Sequence, residues 1–345
     1  MRFVAVDWSG SLSSGGSEIW VAAVEDGVLV DLYGRLTRPQ AVEALCDWKA
    51  SGIDMVVGLD FAFSMPAWFV RQCGCGSAPE FWSVVDREGE GWLTDCLPPF
   101  WGKPGKKRDA AVQHRRTELA VDGAPKSVFQ IGGAGAVGTG SIRGMPFLAR
   151  LQAAGFTVWP FEAPTATTVV EIYPRLLTGI GPKRQPGWCR AYLDVIDWPA
   201  APDQRAVAAA TEDSFDASVS ALRMWQARGE LAQLKASTEE GDILEGRIWA
   251  PSIAITPVQV GAWERLGGLQ SGPKVRLAVT EAPTVPRMKG DGLCGCGCGA
   301  SVRQRYLPGH DAKHKSRLLR EARAGSDEAV ANLTRLGWIR FLTRQ

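Results

Sequence analysis

The chain has no run of 18 consecutive apolar residues, so no segment reads as a membrane-spanning helix. It has no surplus of either charge: 39 Lys and Arg stand against 37 Asp and Glu, a formal net charge of +2. That balance excludes a uniformly basic, histone-like chain and an acidic solvating one. There is no internal repeat and no extended low-complexity tract. Histidine is scarce, at 3. The first, His114, reads as an exposed helix residue rather than a catalytic base. The opening apolar run is broken at Asp7, too soon for the core of a signal peptide, and the expected compartment is the cytoplasm. Cysteine is present at 8, but an even count implies a disulfide framework only in a short secreted chain.

What is present is ordinary for a globular protein. A length of 345 residues suits two domains, or one large domain with an appendage. Apolar residues at 45% and charged residues at 22% argue against wholesale disorder. The 14 tryptophans are spread along the chain and read as core and groove packing.

The first segments read as strands: Arg2 to Trp8, Ile19 to Val24 and Gly27 to Tyr33. Glu25-Asp26-Gly27 is a hairpin turn with Asp-Gly at its centre. A helix is expected over 38–50, with Ala41, Val42, Ala44, Leu45 and Trp48 at helical steps. Met55 to Asp60 is a continuous apolar run ending in an acid, the pattern of a buried central strand. The segment 67–125 is rich in Trp, Gly and Pro and reads as an irregular insertion, with a helix over about 108–119. Further helix is expected over 146–154 and strands over 156–161 and 167–173. A long alanine-rich helix is expected over 203–225. Together these give an α/β fold, a mixed sheet flanked by helices. The expected domain spans 1–266, followed by a Gly/Pro-bearing linker at 267–290 and a small module at 291–345.

Four aspartates stand out. Asp7 and Asp60 each close a strand, and Asp213 and Asp216 lie three apart on a helix, hence on one face. Clustered carboxylates repel unless a cation sits among them. Hard oxygen ligands suit magnesium or manganese, and two such ions can activate water and stabilise the leaving oxygen of a phosphodiester.

The order of the motifs resembles the ribonuclease H-like fold, and more closely the family numbered 429 among the domains of unknown function, regarded as predicted ribonuclease H-like nucleases. The matching pieces are Val4-Ala5-Val6-Asp7, Gly58-Leu59-Asp60-Phe61-Ala62-Phe63 with Met65-Pro66, and Val170-Glu171-Ile172-Tyr173-Pro174. Glu212-Asp213-Ser214-Phe215-Asp216-Ala217 and Glu245-Gly246-Arg247-Ile248-Trp249 complete the set, which covers about 1–255. The layout is similar to Holliday-junction resolvases of the same fold. By that resemblance Asp7, Asp60, Asp213 and Asp216 would be ligands of Mg2+ or Mn2+. Glu171 would be a fifth acid or a ligand-orienting group, and the chain would be a hydrolase cutting nucleic acid by two-metal-ion catalysis.

Other motifs carry competing readings. Gly133-Ala134-Gly135-Ala136-Val137-Gly138 matches a dinucleotide fingerprint, but no helix is expected to open at Gly138 and the segment reads as a glycine loop beside the site. Asp7-Trp8-Ser9-Gly10-Ser11 resembles the first phosphate loop of actin-like ATPases and sugar kinases. Ser9 is therefore a candidate substrate contact, and ATP-dependent phosphoryl transfer is the alternative reading. Lys103, Lys106, Lys107, Arg108, Arg115 and Arg116, with Trp92 and Phe100-Trp101 nearby, form a basic aromatic stretch suited to phosphates and bases. A further alternative is a nucleic-acid-binding chain whose acidic site is inert and which relies on its C-terminal module.

The C-terminal module carries Cys294, Cys296 and Cys298 with His310 and His314. Three thiolates and His310 would suit tetrahedral zinc. Two helices joined by Gly325-Ser326 give a helix-turn-helix outline. Splitting the charge sharpens the picture. Residues 287–345 hold 12 Lys/Arg against 5 Asp/Glu, or +7, and residues 1–286 hold 27 against 32, or −5. The near-neutral whole joins an acidic domain to a basic module, which favours a nucleic-acid partner, DNA or RNA.

Overall fold

The computed structural model describes residues 1–12, 18–106, 108, 113–196, 198–252 and 310–335. The chain divides into two units, Met1–Gly272 and Pro273–Gln345. Among the described residues no helix is long and apolar enough to cross a membrane.

The first unit opens with β1 (Arg2–Asp7), β2 (Ile19–Glu25) and β3 (Val28–Leu36). At the β2–β3 turn Asp26 and Gly27 both have positive φ, 48° and 82°. A tight hairpin needs this conformation, and Asp-Gly supplies it. Then come α1 (Arg38–Ala50), β4 (Met55–Leu59), α2 (Ala67–Gln72), α3 (Ala78–Asp95), α4 (Arg116–Ala120) and α5 (Val137–Ala153). After β5 (Thr157–Val158) and β6 (Thr167–Glu171) the chain is helical: α6 (Pro174–Thr178), α7 (Pro186–Val195), α8 (Pro202–Ala208), α9 (Glu212–Gln226), α10 (Arg228–Leu231) and α11 (Glu240–Glu245). The sheet is mixed and six-stranded, ordered β3-β2-β1-β4-β6-β5. Strands β1, β2 and β3 pair antiparallel, while β1–β4, β4–β6 and β6–β5 pair parallel. The fold is thus α/β with helices on both faces, as the sequence predicts.

Side-chain alternation divides the core. Val4, Val6, Met55, Val57, Leu59 and Val169 face one layer, packed with residues of α1, α3 and α5. Phe3, Ala5, Val56 and Val170 face the other, packed with α7 and α9. The register pairs Val6 with Leu59 and Leu59 with Glu171. Asp7 and the residue after β4, Asp60, therefore project toward the α9 face. Glu171, in phase with Val169, projects to the opposite face.

Three expectations are corrected. The segment 67–125 is not irregular throughout, because α2 and the 18-residue α3 lie within it. Ser77 caps α3, its side chain accepting from Glu80 N, and Phe81, Trp82, Val84, Val85 and Leu93 give it an apolar side. Gly89 serves packing: a Cβ there would meet Ile142 Cγ2 of α5 at 2.6 Å. Helix α5 opens at Val137, nine residues before the expected start, so a helix does follow the glycine loop. The long helix over 203–225 is two helices. Thr211 breaks the run by capping α9, its hydroxyl accepting from Ser214 N at 3.0 Å. Replacing Thr211 by Ala removes that acceptor and should destabilise the unit by about 1 kcal/mol in urea melts. No measurable change would mean that the new helix start does not depend on its cap.

In the second unit the described helices are α12 (His310–Arg323) and α13 (Asp327–Arg335), joined by a short turn at Gly325. Leu318, Ala329 and Leu333 form a small buried cluster between them. Cys294, Cys296 and Cys298 lie outside the described residues, and His310 is the first residue of α12.

Candidate active site at the carboxyl edge of the sheet

Asp7 and Asp60 come to adjacent positions because β1 and β4 are parallel neighbours. Asp60 N donates to Val6 O at 3.1 Å, continuing the ladder one step past β4. Helix α9 lies across β1 and β2 on the same face. It is held there by Phe215, which packs on Tyr192 and Trp188 at centroid distances of 5.1 and 5.7 Å. Because Thr211 starts the helix afresh, Asp213 falls in its first turn and Asp216 one turn on. Asp216 is buried, Asp7 and Asp60 keep part of their surface open to solvent, and Asp213 is exposed.

The other three carboxylates all act on Asp7. Burial pushes Asp7 well above the usual carboxylate range, and Asp60, Asp216 and Asp213 push it further, with Lys183 opposing. Burial and then Asp216 raise Asp60 to about 8, again against Lys183. Asp216 is also raised, by burial, while Lys183 and Thr178 hold it down. Partial desolvation, then Glu212 and Asp216, raise Asp213, although its open surface lets solvent screen these effects. Burial is the larger cause at all four, and neighbouring carboxylates add to it. Among the described residues no hydrogen bond to the carboxylates of Asp7, Asp60 or Asp213 is found. No three His, Cys, Asp or Glu side chains among them stand ready at metal-cage spacing.

Two cavities with shared wall residues open over this edge. One, of about 480 Å³, runs past Ser9, Asp60 and the start of α5 at Val137. The other, of about 360 Å³, is lined by Asp60, Lys183, Glu212 and Asp216. Lys126 and Tyr173 line both. Ser9 is on the cleft wall, its hydroxyl 3.2 Å from Glu18 Oε2 and accepting from Ser11 N at 3.1 Å.

The structure does not bring the basic stretch to this cleft as a group. Lys106, Arg108 and Arg116 are exposed, and Lys103 Nζ donates to Thr94 O at 3.2 Å. None of the four lines either cavity, and Lys107 lies outside the described residues. Arg115, expected to meet phosphates with the rest of the stretch, is instead buried in an ion pair. It is 1% exposed and bonds Glu171 through Nη2 at 2.5 Å and Nη1 at 2.8 Å. Its Nε reaches Glu118 at 2.9 Å. Burial alone would lower the guanidinium's pKa, but Glu171 and Glu118 more than reverse this and raise it.

Glu171 is accordingly closed by Arg115 and by Phe63 N, which donates to Oε2 at 2.9 Å. It is no free ligand among the aspartates. It orients the loop that follows Asp60. His114 is half-buried, and burial lowers its pKa.

The residue that sequence reasoning missed is Lys183, in the loop between α6 and α7. It is 8% exposed, and Nζ lies 2.6 Å from Asp216 Oδ1 and 2.6 Å from Thr178 Oγ1. Nothing in Gly181-Pro182-Lys183-Arg184 marks one lysine for the interior, and only the packing of α6 against α9 does so. Comparison of the chain with family models, with curated proteins and with solved structures finds no match.

Proposed function

We propose that this chain is a metal-dependent nuclease of ribonuclease H-like fold. The observation that carries the reading is the gathering of Asp60, Asp213 and Asp216, from the end of β4 and from α9, around Asp7 of β1, whose pKa all three raise, with Asp60 and Asp216 lining one cavity. A three-stranded antiparallel half joined through β1 to parallel strands, with a late acidic helix laid over the junction, supports the fold assignment.

Magnesium or manganese fits the donor set. The set is all oxygen, it holds more negative charge than Lys183 balances, and three of its carboxylates have no hydrogen-bond donor among the described residues. Carboxylates with no cation between them stand apart, in keeping with the absence of a ready-made cage. When bound, the divalent ion supplies Lewis acidity and neutralises charge on a phosphodiester. Asp7 and Asp60 would hold it, on the rigid ends of paired strands. Glu171 and Arg115 would fix the backbone beyond Asp60. The cleft's Ser9 and Lys126, rather than the Lys103–Arg108 stretch, would meet the phosphate chain first. The separate basic unit would add affinity that weakens as salt rises.

The test is a screen of the full chain against end-labelled DNA and RNA, single-stranded and duplex, with magnesium, manganese or chelator. Cleavage that requires the divalent ion is expected. Binding without cleavage under every ion would overturn the reading and leave an inert binding protein. ATP turnover in the same mixtures, with nucleic acid intact, would favour the phosphoryl-transfer branch of the fold instead.

A further inference from the structure

Lys183 is built into the carboxylate cluster, and the reading above uses it only in the balance of charge. Its ammonium is buried, and its two partners are an aspartate of the site and a hydroxyl. The backbone around it is fixed as well. Lys183 N donates to Gly181 O at 2.9 Å, and Cys189 Sγ donates to Lys183 O at 3.2 Å. Thr178, the second partner, lies 3.0 Å from the same Asp216 oxygen and bonds Pro174 O at 2.8 Å, which anchors it to the start of α6. This is a fixed cation in a pocket, not a surface lysine passing by.

The consequence concerns how many metal ions the site takes. A two-ion arrangement would set one ion on the Asp7 and Asp60 side and the other on Asp216 and Asp213. The Asp216 side already holds a positive charge at 2.6 Å from Oδ1. A divalent ion placed there would have to share that oxygen with an ammonium, and like charges at such range repel strongly where water is excluded. Among the described residues no cation bonds Asp7 or Asp60, on which Lys183 acts only at a distance.

We propose that Lys183 takes the place of the second metal ion, so that the site binds one divalent cation, at Asp7 and Asp60. Lys183 is then a positioning residue that holds Asp216 and supplies fixed positive charge beside the reacting phosphate. The inference rests on the metal-dependent reading given above.

Manganese binding to the full chain, followed by the electron paramagnetic resonance of free Mn2+, counts the ions directly. The wild type should bind one ion at this site, the one that Asp60→Asn removes. Lys183→Met should open the Asp216 side and raise the count at the site to two. Lys183→Arg, which keeps the charge, should leave it at one. Two ions removed by Asp60→Asn and Asp216→Asn in the wild type would overturn the inference while the nuclease reading stands. A count unchanged from wild type in a folded Lys183→Met would do the same, and Lys183→Gln gives the same comparison if the Met variant does not fold. A wild type whose manganese count is untouched by Asp60→Asn would sink the metal-dependent reading itself, and the inference with it.

Discussion

Asp60→Asn should reduce divalent-ion-dependent cleavage on the order of 10^3-fold, the rate equivalent of roughly 4 kcal/mol. In chelator the same change should make the protein more stable, not less. The two effects have one cause. Burial, then the charge of Asp216, raise the pKa of Asp60 to about 8, and Asp60 in turn raises that of Asp7. An unfolded aspartate ionises at its ordinary value of 3.8. Between the two, the folded state binds the proton more tightly than the unfolded state. Stability from this group is therefore full below pH 3.8, falls as pH rises toward 8, and is flat beyond. Asparagine has no proton to lose. In chelator the stability gap between variant and wild type should open across that window and level off above it. Its size should be on the order of 2 kcal/mol after allowing for the solvent that reaches the cleft. Adding manganese should reverse the order, stabilising the wild type and leaving the variant unmoved. Thermal melts at pH 5, 7 and 9, with and without the ion, measure all of this. A variant less stable than wild type in chelator at pH 9 would show that Asp60 is a structural acid and not a crowded ligand.

The sheet was legible because its signals are local. Asp26-Gly27 encodes a turn, Met55 to Leu59 encodes a strand buried on both faces, and Val4 to Val6 encodes its neighbour. The aspartates followed from strand ends and helical spacing. What could not be read is set by partners distant in sequence. Gly89 marks close packing with Ile142, 53 residues away, and so hid a helix. Arg115 sits among exposed bases but is drawn inward by Glu171, 56 positions on. Lys183 is chosen from its loop only by Asp216, 33 positions on. Glu171 is a different case, because its direction was available. Counting alternate residues along Thr167–Glu171 puts it in phase with Val169, away from the face that Asp7 and Asp60 share. Parity alone would have removed it from the ligand set and suggested the orienting role.

Arg115→Met should cost roughly 3–5 kcal/mol of stability, a fall in Tm on the order of 10 °C for a unit of this size. The guanidinium bonds two buried carboxylates, Glu171 at 2.5 Å and Glu118 at 2.9 Å, and it also donates to Glu245 O at 3.0 Å. Methionine fills much of the volume but leaves both acids in the core without their counter-charge. The penalty is mainly the cost of those stranded charges, not the net worth of the pairs. Adding Glu171→Gln and Glu118→Gln to Arg115→Met should therefore recover a large part of the loss. Activity should not recover in step. Glu171 accepts from Phe63 N at 2.9 Å and so pins the loop that begins at Asp60. A stable triple variant with that pin weakened should still cleave more slowly than wild type. Urea melts and cleavage rates on the single and triple variants separate the two roles. A single variant within about 1 kcal/mol of wild type would mean that water or a neighbouring cation replaces the guanidinium. A triple variant as unstable as the single one would mean that the loss comes from packing and not from unpaired charge.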